Sequence, residues 1–89
     1  MVEWKIEFTK KAQNDSKLLN AVHLKEKTQR ILNTIKEDPY GTPPPFEKLK
    51  ADLNGKYSRR INIKHRIVYS VNSNNNEIIV YGMFSHYGE

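Results

Sequence analysis

Glu47, Arg66 and His86 are of the residue types that cut RNA. The chemistry needs little equipment. A base takes the proton from a 2′-OH, and the oxygen attacks the neighbouring phosphorus. A cation stabilises the charge that builds on the phosphate oxygens, and an acid protonates the departing 5′ oxygen. RNA brings its own nucleophile, so the scheme needs neither a metal nor a protein nucleophile. All three residues fit the edge of one sheet face, but residue types alone do not show that they converge. Each has a bland reading beside the chemical one. Glu47 has lysines close by to pair with, and His86 is by default an exposed histidine. Arg66 stands in an apolar strand, where an unpaired arginine is costly, so it must face water, an acid or a phosphate.

Other chemistries find less support. There is no cysteine, hence no disulfide, no thiol nucleophile and no cysteine-based zinc site. No glycine-rich loop is present to cradle a nucleotide triphosphate. His65 and His86 are not spaced as metal ligands on one element, so no metal and no cofactor are expected. The run MVEWKIEF lacks the apolar core of a signal peptide, and no apolar run approaches a membrane span. No membrane association and a cytoplasmic location are the expectation.

The charge is concentrated. Residues 47–66, EKLKADLNGKYSRRINIKHR, hold seven Lys/Arg against two acids, a surplus equal to the formal +5 of the whole chain. The other 69 residues balance eight bases with eight acids. With tyrosine and isoleucine interleaved, the stretch reads either as a face for a polyanion or as a solvated charge run.

Eighty-nine residues give room for one domain, 1–89, with one core. Trp4, Ile6 and Phe8 alternate with charges in a short strand. Thr9 is a candidate N-cap for a first helix through Ala12, Leu18 and Leu19. Asn20 to His23 joins it to a second helix, whose Leu24, Thr28, Ile31, Leu32 and Ile35 form one stripe at helical period. Pro39 and the three prolines 43–45 end that helix in an extended connector. Glu47 to Leu53 reads as a turn or short helical piece, and Asn54-Gly55 as a turn. Three strands follow, Tyr57 to Ile63, His65 to Val71 and Glu77 to Phe84, with Ile78 to Tyr81 buried on both faces. The predicted fold is α+β, ordered β-α-α-β-β-β, an antiparallel meander with a two-helix hairpin on one face. The other face then carries the outward residues of the basic stretch.

Phe46-Glu47-Lys48-Leu49-Lys50, Leu53-Asn54-Gly55-Lys56-Tyr57-Ser58-Arg59-Arg60-Ile61, His65-Arg66-Ile67-Val68-Tyr69 and His86-Tyr87 resemble the YoeB/Txe family of bacterial toxins. That family lies within the RelE superfamily of toxin–antitoxin endoribonucleases. The pattern L-x-G-x-[WY]-S-R-R-I-x-x-x-H-R-[LIV]-V-Y, closed by His-Tyr, covers about the C-terminal half; the first 40 residues agree in element order only.

The resemblance implies a RelE-like fold and cleavage of mRNA, generally in the ribosomal A site, with a 2′,3′-cyclic phosphate and a 5′-OH as products. It implies Glu47 as general base, Arg66 as stabiliser of the transition-state phosphate and His86 as general acid. Tyr87 would orient the substrate or pack on a base, and Lys50, Arg59 and Arg60 would hold phosphates. A solvated glutamate is a weak base for a 2′-OH, so Glu47 would need a partly desolvated or substrate-linked carboxylate. Arg59 and Arg60 point to opposite faces of a regular strand, so at most one meets RNA directly. The implied partners are mRNA, the ribosome and an antitoxin of the YefM/Axe type; a homodimer is compatible, and operator DNA is reached only through the antitoxin. Family members often stop near the His-Tyr pair, whereas Gly88-Glu89 follow here. Two rival readings stay open: a non-catalytic RNA- or ribosome-binding domain, and a co-repressor acting with an antitoxin.

Overall fold

The computed structural model describes residues 4–41, 46–49 and 55–84. Strand β1 (Lys5–Phe8) leads into helix α1 (Lys10–Ala21) through Thr9. The Thr9 hydroxyl accepts from the Ala12 N–H at 3.2 Å and donates to the Tyr81 carbonyl at 3.0 Å. One residue thus caps the helix and fastens its start to the last strand. Helix α1 ends in a Schellman motif: Leu24 N–H reaches Leu19 O at 2.9 Å and His23 N–H reaches Asn20 O at 3.2 Å. His23 occupies the left-handed position of that motif, at φ 63°.

Helix α2 (Lys25–Glu37) buries Thr28, Ile31, Leu32 and Ile35 of the predicted stripe, while Leu24 precedes the helix as its N-cap and is half-buried. The helix stops at Asp38, which is extended ahead of Pro39. Strands β2 (Phe46–Lys48), β3 (Lys56–Arg60), β4 (Arg66–Asn72) and β5 (Glu77–Gly82) complete the order. The Asn62 side-chain oxygen accepts from the N–H groups of Lys64 (2.8 Å) and His65 (2.7 Å), fixing the β3–β4 reversal. Asn72 holds the β4–β5 turn in the same way, and Asn76 takes the left-handed position at φ 54°.

The sheet order is β1-β5-β4-β3-β2. The α+β plan and the meander hold from β2 to β5, with two differences of detail. Residues 46–48 are a strand paired antiparallel with β3, where a turn or helical piece was expected. Strand β1 joins the far edge parallel to β5, so the sheet is mixed. The intervening helix hairpin and meander return the chain to β1 in the same direction.

Ile67, Tyr69, Ile78 and Val80 on one sheet face cluster with Ala12, Leu19, Ile31, Leu32 and Ile35 from the helices. Trp4, Ile6 and Phe8 flank them. In β5 burial alternates: Ile78 and Val80 are buried, Ile79 and Tyr81 only partly, so that strand is not equally buried on both faces. No helix among the described residues is long and apolar enough to cross a membrane.

Asp15 closes the junction between α1 and the end of β5. Its buried carboxylate accepts from Met83 N–H at 2.9 Å and from Lys11 Nζ at 2.7 Å. Asp15→Ala leaves the buried amide of Met83 unpaired and is expected to cost about 2–3 kcal/mol. Urea unfolding checks this, with Asp15→Asn, which keeps an acceptor, falling between the two.

Candidate active site

Strands β2, β3 and β4 place Glu47, Ser58, Arg60 and Arg66 on the sheet face away from the helices. The register sets this. Glu47 lies opposite Ser58, Ser58 opposite Val68, and Arg60 opposite Arg66, and directly opposed residues share a face. The Arg66 Nη1 is 3.5 Å from Glu47 Oε1 and 3.4 Å from Ser58 Oγ. Both contacts are long. The Arg66 Nε is buried, with no acceptor in reach among the described residues. Among the described residues the guanidinium is therefore positioned but not saturated. Its side chain is 20% exposed and that of Glu47 is 65% exposed, so the pair opens to solvent on the carboxylate side.

Arg60 is exposed and directly opposes Arg66. Like charges at opposed positions are unfavourable, and an anion between them reverses the sign of the interaction. Lys27, Arg30 and Thr34 of α2 border one cleft with Glu47, Ser58 and Arg60.

Arg59 behaves differently, and its expected contact with phosphate is corrected. It is 0% exposed, on the helix-side face. Nε donates to Tyr69 Oη at 2.9 Å, Nη2 to the Pro39 carbonyl at 2.8 Å and Nη1 to the Gly41 carbonyl. Tyr69 Oη also donates to Pro39 O at 2.8 Å. Phe46 and Tyr69 present their rings to the guanidinium, at 5.4 and 5.9 Å. Burial, opposed by the nearby Arg59, raises the Tyr69 pKa above the phenol's ordinary 10.0 and keeps it a donor. This buried group fastens the chain leaving α2 to β3 and β4, and so bears on where β2 and Glu47 lie.

His65 is buried, and its ring stacks on Phe84 at 4.2 Å. Val68 opposes Gly82, so β5 ends beside the start of β4, where Arg66 is. Lys50, His86 and Tyr87 lie outside the described residues. The structure thus brings Glu47, Arg66 and Arg60 together and takes Arg59 away. Ser58 was given no role in the sequence reading. Its signal was the alternation of β3, which puts it on the Arg60 face.

The whole span from residue 7 to residue 87 matches the YoeB-like toxins of bacterial type II toxin–antitoxin systems. The chain belongs to that family. The Toxin YoeB of Synechocystis sp. is 42% identical to it over 59 residues, 66% of this chain and 62% of that protein's length. Among solved structures, a YoeB/ParE toxin from Agrobacterium tumefaciens superposes with a TM-score of 0.84 at 28% identity, covering 93% of this chain and 99% of that one. The toxin of a heterotetrameric YoeB-YefM complex from Staphylococcus aureus gives 0.78 at 32% identity, covering 97% and 100%. The YoeB-like match extends to the first half, where the sequence reading had only element order. It also includes the segment with His86 and Tyr87.

Proposed function

We propose that this protein is an endoribonuclease toxin that cuts mRNA in the ribosomal A site and so inhibits translation. The observation that carries the reading is the unsaturated Arg66 guanidinium held beside an exposed carboxylate. A site that only bound anions would need the cation, not the carboxylate next to it.

In the proposed reaction Glu47 takes the 2′-OH proton and O2′ bonds to phosphorus. The P–O5′ bond breaks, and His86 gives its proton to O5′. The products are a 2′,3′-cyclic phosphate and a 5′-OH. Arg66 donates to the phosphate oxygens as negative charge builds there. RNA lying over Glu47 displaces water from a carboxylate that is open in the free protein. Arg60 and Lys50 hold flanking phosphates, and Tyr87 orients the substrate. An antitoxin of the YefM type inhibits by laying an acidic segment over the basic face. The toxin acts in the cytoplasm, where the ribosomes are, and a homodimer is compatible with this role.

The test is a translating ribosome with a defined codon in the A site and both mRNA ends mapped. Wild type should cut within that codon. Glu47→Ala should slow the cut by about 10²-fold, at the low end for loss of a general base. Salt-sensitive ribosome binding without any cut would replace the enzyme with a binding module.

A further inference from the structure

We propose that Lys27 and Arg30 of α2, together with Arg60 and Ile63, form a second RNA-binding segment that carries the single strand away from the Glu47–Arg66 pair. The inference rests on the endoribonuclease reading and extends it to residues outside the basic stretch. Lys27, Arg30 and Thr34 follow one another at three and four residues, so they line one stripe of the helix. That stripe faces a cleft of about 910 Å³ shared with Glu47, Ser58, Arg60 and Ile63. Such a volume accommodates more than the two groups at the reacting phosphate.

Among the described residues, Lys27, Arg30 and Arg60 make no ion pair, although Glu26 stands one helical turn before Arg30. Ile63 sits beside them at the β3–β4 reversal and is 85% exposed, the most exposed large apolar side chain described. Three cations next to an apolar side chain suit a nucleotide strand with unstacked bases. An acidic peptide fits less well. It would bring its carboxylates past Glu47, which lines the same cleft, and it has no bases to lie against Ile63.

The test measures binding of an uncleavable 2′-deoxy dodecamer and a matching trimer across a salt series. Lys27→Ala/Arg30→Ala should weaken dodecamer binding by about tenfold or more and lower the log–log salt slope by ~1.4, two single-strand phosphates' worth. Trimer affinity should stay level, since a trimer does not span both segments. Lys17→Ala/Lys36→Ala removes the same charge outside the cleft and should leave dodecamer affinity and slope as in wild type. An unchanged slope in the cleft variant, or an equal fall in the control, overturns the proposal. Retained RNA binding with lost affinity for an acidic antitoxin segment would also overturn it and assign the cleft to protein. Cleavage mapping separates the two readings. An intact slope effect without any cut by wild type removes the enzyme and leaves the path, whereas a cut with no slope effect does the reverse.

Discussion

Arg66→Ala should slow cleavage of bound RNA by about 10²–10³-fold, the effect of removing one preorganised donor from a developing oxyanion. The argument starts from the donors. Nη1 makes two contacts, at 3.5 and 3.4 Å, and Nε is buried with no acceptor among the described residues. None of these contacts is strong enough to resist a phosphate that arrives with more charge and better geometry. The fold should tolerate the change. An ion pair whose glutamate is 65% exposed contributes at most about 1 kcal/mol. Affinity should fall less than the rate, because Arg60 remains on the same face. Arg66→Lys keeps the charge and loses the planar fork, so it should recover part of the rate. The measurement is single-turnover cleavage at saturating RNA. A wild-type rate for the bound RNA, with only the dissociation constant raised, would reduce Arg66 to an affinity residue.

Local pattern was enough for most elements. The stripe of α2, the cap at Thr9 and the alternation of β3 and β4 are properties of short windows, and each element formed in its window, although β3 ends at Arg60 and β5 at Gly82, short of the expected Ile63 and Phe84. Non-local contacts were not readable in this way. Strand β2 has three residues, too few for alternation, and exists because β3 offers it an edge. The parallel pairing of β1 with β5 joins residues more than 70 positions apart. Aspartate is a poor helix former by propensity; in α1 the use of Asp15 is a bond to Met83 N–H, 68 positions later. In the site, the turn expected at Glu47 hid the register that puts it on the face of Arg66, and residue types could not show that Arg66 Nε has no acceptor among the described residues. The arginine pair shows the boundary most clearly. Alternation separates Arg59 from Arg60 but does not say which one turns inward. That depends on carbonyl groups at Pro39 and Gly41, in a different element.

Arg59→Ala should cost about 3–5 kcal/mol of stability, from the cavity left by a large buried side chain and the carbonyls left without donors. The wild-type guanidinium meets Tyr69 Oη and the carbonyls of Pro39 and Gly41 in a space closed to water. Removing it vacates the volume of a large side chain and takes donors from two carbonyls at once. Tyr69 still reaches Pro39 O, so one tie to that carbonyl survives, while the tie to Gly41 is lost. Domains of this size have a margin of only about 5–15 kcal/mol, so urea unfolding should resolve the loss easily. Arg59→Lys should fall between, since a single ammonium serves one or two of three acceptors without the fork. Arg60→Ala, one residue on and exposed, should change stability by no more than about 0.5 kcal/mol and instead weaken RNA binding. The adjacent arginines therefore divide: the inner one supports the fold and the outer one meets the ligand. Equal stability of Arg59→Ala and wild type would break that division. So would an Arg60→Ala protein that unfolds as readily as Arg59→Ala. If the division holds, cleavage lost in Arg59→Ala reports displacement of β2 and its Glu47, and Arg59→Lys should recover cleavage in step with stability.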